Sequence, residues 1–202
     1  MLGTVILAAG KSKRMGRAKL LLPWGKTSVI GHLVSLWKNL GADQIAVVCA
    51  AGDELIQAEL ERIGFPAEQR IVNAAPEQGM FSSIQCAARW KGWSAGLTHW
   101  VIALGDQPHL RGETLLKLIE FSAAHPENIC MPRQGGHRRH PVWLPRKAFL
   151  EITSSNAAHL KAFLDRPPVA VQFCELTDAA LELDIDHPED YEEAKRLYLR
   201  ES

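Results

Sequence analysis

TVILAAGKSKRMGRAKLLLP, residues 4–23, decides how the rest of the chain is read. Thr4–Ala9 is an unbroken apolar run that stops at Gly10, the pattern of a strand buried on both faces of a parallel sheet. Five cations follow within nine residues: Lys11, Lys13, Arg14, Arg17 and Lys19. A Walker loop reads G-x-x-x-x-G-K-[ST]; here five residues separate Gly10 from Gly16, and Arg17-Ala18 comes next. A dinucleotide fingerprint reads G-x-G-x-x-G, and Gly10 is followed by Lys11-Ser12. Neither pattern fits. What remains is a small-residue turn that lets backbone approach a ligand, then cations able to replace the hydration of triphosphate oxygens. A solvated basic loop is the alternative.

Outward from this stretch the chain alternates strand and helix. Spacing predicts a helix over 28–40, with Ser28 as cap and Gly41 as stop, and a buried strand over Ile45–Ala50. A helix over 53–63 capped by Asp53, a strand at Arg70–Asn73 and a helix at Phe81–Trp90 come next. His99–Leu104 reads as a strand running into Gly105-Asp106-Gln107-Pro108, followed by a helix over 112–124 and a strand at Ile129–Pro132. Residues 133–141 read as a Gly- and Arg-rich loop, 146–152 and 156–164 as short helices, Val169–Leu176 as an edge or mixed-sheet strand, and Asp190–Arg200 as a terminal helix. Unbroken alternation predicts one α/β domain over 1–202, with a mostly parallel sheet. In such sheets ligands sit beyond the carboxyl ends of the strands, which points to the loop after the first strand and to Asp106.

The composition is that of an ordinary globular protein: 202 residues, 47% hydrophobic, with 23 basic and 23 acidic side chains. Balanced charge gives no sign of a nucleic-acid partner. No apolar run approaches the ~20 residues that span a bilayer, and the first basic cluster follows the first apolar run, the reverse of a secretory signal. Cys49, Cys86, Cys130 and Cys174 form no CxxC pair, so buried thiols in a reducing cytoplasm are expected. The charges are nonetheless segregated. The first 42 residues hold seven Lys/Arg and no acid; the last 28 hold ten acids against three bases. Folding can bring such segments together as a cationic cradle with carboxylates, although solvated helix faces also explain an acidic tail.

Leu7-Ala8-Ala9-Gly10-x-Ser12-x-Arg14-Met15-Gly16-x-x-Lys19-Leu20-Leu21-Leu22-Pro23 resembles the signature of the molybdenum cofactor cytidylyltransferase family, within the MobA-like NTP transferase superfamily. Gln78–Ile84, Gly105–Pro108 and Asp184–Tyr191 resemble later family segments in the right order. Gly135-Gly136-His137 and His140-Pro141-Val142 resemble its G-x-x-G-H-P-V segment, here interrupted by Arg138-Arg139. The resemblance implies a Rossmann-like, three-layer fold of the nucleotide-diphospho-sugar-transferase type. It implies transfer of CMP from CTP to the phosphate of molybdopterin or its molybdenum form, with Mg²⁺ as cofactor and pyrophosphate as product. It further implies a cytoplasmic enzyme that uses neither nucleic acid nor membrane and serves a molybdenum hydroxylase. Guanylyl transfer, another phosphate acceptor, and a non-catalytic delivery protein are the rival readings.

Matched position by position, the resemblance makes Arg14, Lys19 and Asp106 catalytic. Leu7, Ala8, Ala9, Gly10, Ser12, Arg14, Lys19, Gly79, Ser82 and Ser83 then hold the nucleotide. Gly136, Arg138 and His140 hold the acceptor, with His137 as the other occupant of the motif position. A carboxylate at a strand's carboxyl end suits Mg²⁺, which takes one or two carboxylates plus phosphate oxygens. Asp106 is therefore the first ligand and Asp186 the second, with Asp184 the substitute. Each has a simpler reading: Asp106 as a turn residue, Asp186 as a helix cap, Ser82 and Ser83 as caps. The guanylyl branch carries glycine where this chain has Ala9, so the resemblance implies that the added methyl crowds a purine more than a pyrimidine.

Overall fold

The computed structural model describes residues 1–10 and 15–199. In chain order the elements are β1 (Leu2–Leu7), β2 (Pro23–Trp24), β3 (Thr27–Ser28), α1 (Val29–Asn39), β4 (Gln44–Ala50), α2 (Glu54–Arg62), β5 (Arg70–Asn73), α3 (Met80–Arg89) and β6 (His99–Leu104). There follow α4 (Gly112–Ala124), β7 (Ile129–Gln134), β8 (His137–Arg138), β9 (Val142–Pro145), α5 (Arg146–Glu151), α6 (Leu160–Asp165), β10 (Val171–Glu175) and α7 (Pro188–Leu199). A 3₁₀ turn at Lys19–Leu21 ends the segment after β1.

The main sheet runs β10-β7-β9-β6-β1-β4-β5, with β8 paired to β7. β1 lies parallel to both β4 and β6, and β5 parallel to β4. β9 alone reverses direction within this row, antiparallel to β6 and β7. The sheet is thus mixed and mostly parallel, an α/β architecture as the strand–helix alternation requires.

Strand side chains alternate between two apolar layers, because successive Cβ atoms point to opposite faces. Ile6, Val47, Cys49, Val101 and Ala103 pack against α1, α2, α4 and α7. Val5, Ala46, Val48, Trp100 and Ile102 pack against α3, α5 and α6. Both faces are covered, which is why the central strands read as continuous apolar runs. No helix among the described residues is long and apolar enough to cross a membrane.

Local chemistry sets the boundaries. Ser28 Oγ accepts from Gly31 N at 3.1 Å and starts α1; Asp53 Oδ1 accepts from Ile56 N at 3.2 Å and starts α2. Residues 133–141, read as irregular loop, correct to a hairpin: Gly135 and Gly136 adopt φ of +56° and +78° and join β7 to β8. Two successive positive φ values are what a tight hairpin turn requires, and glycine adopts them without a Cβ penalty. β9 and the β2–β3 ribbon escape sequence reading because strands of four and two residues carry no periodic signal. α7 begins at Pro188, two residues before the expected start, since proline's fixed φ suits a first helical position.

Candidate active site

β1 and β6 end side by side, and their connecting segments leave the sheet at the same edge. Gly105 N donates to Leu7 O at 3.1 Å. A Cβ at Gly105 would lie 2.6 Å from that carbonyl oxygen and 2.9 Å from Leu20 Cδ2, so only glycine lets the two strand ends close here. That closure delivers Asp106 to the base of the loop after β1.

Lys19 enters the same point from the 3₁₀ turn. Its Nζ donates to Asp106 Oδ2 at 2.8 Å and to Ile185 O at 2.9 Å, and it lies 3.5 Å from Asp186 Oδ1. One ammonium therefore joins three segments that are remote in sequence. Side-chain exposures of 14%, 23% and 34% for Lys19, Asp106 and Asp186 leave the cluster reachable from solvent yet shielded enough for charge to matter. Asp106 Oδ1 is buried with no hydrogen-bond partner among the described residues, so its lone pairs are uncommitted.

The 184–186 segment is pinned independently of Lys19. Ile185 N donates to Asp106 O at 3.1 Å, and Gln107 Nε2 donates to Asp184 Oδ1 at 2.9 Å. Burial, reinforced by the negative charge of Asp106, pushes the Asp184 carboxyl above its ordinary value. Asp190 Oδ2 accepts from Asp186 N at 3.0 Å and His187 N at 2.7 Å. Asp190, not Asp186, thus caps α7, half of a capping box in which the third helical residue reaches back. The cap leaves the Asp186 carboxylate facing Lys19. Among the described residues, no three His, Cys, Asp or Glu side chains converge as a ready-made metal cage.

One cavity opens on this centre and a second borders the first. The first, about 480 Å³, is lined by Leu7, Ala9, Gly10, Lys19, Gly79, Met80, Ser83 and Asp106 among others. Six of the residues expected around a nucleotide are therefore brought to one wall. The second, about 750 Å³, is lined by Gly136, Arg138 and His140 on one side and by residues of α6 on the other. Met80 lines both, so the two cavities share a boundary.

The remaining candidates fall elsewhere or outside view. Ser12 and Arg14 lie outside the described residues, as do Lys11 and Lys13. Ala8 lines a separate recess of about 420 Å³ with Ala9, Gly16 and Asp53. Ser82 and Ser83 Oγ accept from Asn73 Nδ2 at 2.8 and 2.9 Å, and Ser82 Oγ donates to Gly79 O at 2.8 Å. These bonds tie the start of α3 to the end of β5. Gly79, with φ +90°, makes the bend between them. Gly136, His137 and Arg138 are exposed on the β7–β8 hairpin. His140 is half-buried, its Nδ1 shut off from solvent without a partner among the described residues, and burial lowers its pKa to about 4, so its ring is neutral at pH 7. Met80 and the α6 residues went unread because nothing in their sequence spacing marks a cavity wall.

The family model for the MobA-like NTP transferase domain matches residues 4–171. A relative from Escherichia coli K12 named molybdenum cofactor cytidylyltransferase is 26% identical over 197 residues, covering 96% of this chain and 95% of its own. A relative from Paenarthrobacter nicotinovorans named nicotine blue oxidoreductase is 28% identical over 194 residues, covering 90% of each. A solved nucleotidyl transferase from Methanothermobacter shares the fold at a TM-score of 0.80 and 21% identity, over 100% of this chain and 99% of its own. With a match that spans both strand ends, the Lys19–Asp106 pair and the mixed part of the sheet, the chain belongs to the MobA-like NTP transferase family and is a nucleotidyltransferase.

Proposed function

We propose that this protein is a Mg²⁺-dependent cytidylyltransferase that transfers CMP from CTP to the terminal phosphate of molybdopterin or its molybdenum form. The observation that carries the reading is the meeting of Lys19 with Asp106 and Asp186 beside a nucleotide-sized cavity, which borders an acceptor-sized one at Met80. The likeness to the Escherichia coli cytidylyltransferase over nearly the whole chain supports the choice of nucleotide and acceptor.

In this reading an oxygen of the acceptor phosphate attacks the α-phosphorus of CTP, a new P–O bond forms, and the bond to the β-phosphate breaks, releasing pyrophosphate. The protein's work is to align two anions and offset charge on the leaving group. Backbone N–H groups of Ala9–Gly10 and the Lys19 ammonium face the triphosphate, with Ser12 and Arg14 assigned there by their motif positions. Gly79 and Ser83 wall the nucleoside, Ser82 and Ala8 support that wall, and Gly136, Arg138 and His140 face the acceptor. The carboxylates fit a divalent cation: Asp106 presents an uncommitted buried oxygen, and Asp186 a second carboxylate across Lys19. Bound there, Mg²⁺ supplies charge neutralisation on phosphate oxygens.

We read the whole chain, 1–202, as one such domain. It works in the cytoplasm without nucleic acid or membrane and hands its product to a molybdenum hydroxylase. Pyrophosphate release, measured anaerobically with CTP and GTP against a panel of phosphate acceptors, tests the reading. CTP with a molybdopterin acceptor is expected to be fastest. Preference for GTP overturns the cytidylyl assignment; no release with any pair overturns nucleotidyl transfer and leaves redox chemistry, of the kind named for the 28% identical relative, to be tried.

A further inference from the structure

The α6 side of the larger cavity carries groups that the reaction at Lys19 does not use. His159 and Lys161 line this cavity together with Arg138 and Asp165. His159 Nδ1 accepts from Ala162 N at 3.0 Å. An imidazole nitrogen that accepts from backbone N–H holds no proton, so the neutral ring carries its hydrogen on Nε2 and offers a donor there. Lys161 is exposed and makes no ion pair among the described residues. Arg138 pairs with Asp165 at 2.8 Å, which fixes its guanidinium at the cavity edge while offsetting only one charge. The facing surfaces of Met80, Met131, Leu160 and Leu164 are apolar. The cavity therefore combines an apolar interior with a donor-rich, net-cationic rim away from the Lys19 cluster.

We propose that His159, Lys161 and Arg138 form a second anion subsite, which holds a negatively charged group of the acceptor other than the phosphate that reacts. The proposal rests on the cytidylyltransferase reading for the identity of the cavity's occupant, and it narrows that occupant to an acceptor with two separated anionic groups and an apolar body between them. One anion goes to the junction at Met80, where it meets the nucleotide. The other goes to the α6 rim, and the distance between the two subsites selects for molecular length. A monoanionic acceptor leaves the rim unpaired and gains nothing from it.

Inorganic phosphate is a sufficient probe. In the wild type, added phosphate is expected to shift the ring resonances of His159 in the NMR spectrum. Lys161→Ala should weaken that response about tenfold, as loss of a charge-assisted contact predicts. Lys161→Arg should restore most of it, and Lys147→Ala, which removes an exposed charge on α5, should leave it unchanged. Unaltered phosphate affinity in Lys161→Ala, or an equal loss in Lys147→Ala, overturns the subsite. In turnover, Lys161→Ala should raise KM for the molybdopterin acceptor about tenfold while KM for CTP stays constant; an unchanged acceptor KM overturns the proposal as well. Failure of the cytidylyl reading has a different signature: wild-type protein then releases no pyrophosphate from CTP, while the phosphate response at His159 persists.

Discussion

Lys19 concentrates the site's electrostatics in one side chain. Its ammonium contacts two carboxylates and a carbonyl, and removing it takes away the cation that Asp106 and Asp186 share. Lys19→Ala should therefore act twice. Stability should fall by about 1–3 kcal/mol, the cost of stranding a half-buried polar partner, and kcat/KM should fall at least about tenfold. Urea melts and steady-state rates separate the two effects, and a variant with normal stability and normal rate removes Lys19 from the site. Asp106→Asn is the complementary change. It keeps shape but removes charge, so the fold should persist while turnover drops at least about a hundredfold. Ala9 speaks to nucleotide choice: it is 7% exposed and lines the nucleotide-sized cavity. One methyl in a pocket discriminates by ~1–3 kcal/mol, so Ala9→Gly should narrow the ratio of CTP to GTP kcat/KM without reversing it. A ratio unaffected by the substitution places the discrimination elsewhere.

At the scale of elements, the site depends on how α7 begins. Asp190 holds two backbone N–H groups, and this cap aims the preceding residue, Asp186, at Lys19. The aromatic contacts of Trp24 with Tyr191 at 6.1 Å and with Tyr198 at 5.4 Å seat α7 on the β2–β3 ribbon. Asp190→Ala should cost about 0.5–2 kcal/mol in stability, the usual price of a lost cap. It should also lower turnover although Asp190 touches no ligand, because Asp186 loses its fixed approach. Asp190→Asn keeps an acceptor oxygen and should recover most of both. Thermal melts and kcat for the pair decide this; equal activity in Asp190→Ala and wild type shows that Asp186 needs no such support.

Across the whole molecule, buried histidines set a pH limit. His140 has its pKa lowered to about 4 by burial, from an ordinary value of about 6.5, and burial lowers His32 and His109 in the same direction. Between these values the unfolded chain binds protons that the folded chain refuses, so stability falls as pH drops from about 6.5 towards 4 and levels off below. His140 alone accounts for up to about 3 kcal/mol of this loss. Denaturant midpoints measured across that window should fall steeply for wild type and less steeply for His140→Gln. Parallel curves for the two assign the acid sensitivity to other groups.

The strands at Arg70–Asn73 and His99–Leu104 and the helix over 112–124 were legible to the residue, because short apolar runs and period-3.6 patterns are local properties of a chain buried on a sheet. The placing of Asp106 at a strand's carboxyl end was legible for the same reason, whereas the first strand, read as Thr4–Ala9, runs Leu2–Leu7. The direction of β9 was not, since a four-residue strand owes its pairing to neighbours on both sides. Neither was the different placing of Asp184 and Asp186, which lie only two positions apart. Gln107 engages the first, while the Asp190 cap turns the second towards Lys19. Local sequence thus determined the elements and the residue types at their ends. Tertiary structure decided which charges meet, because Lys19 reaches Asp106 across 87 positions and Asp186 across 167, and only the folded sheet brings such distances to hydrogen-bond range.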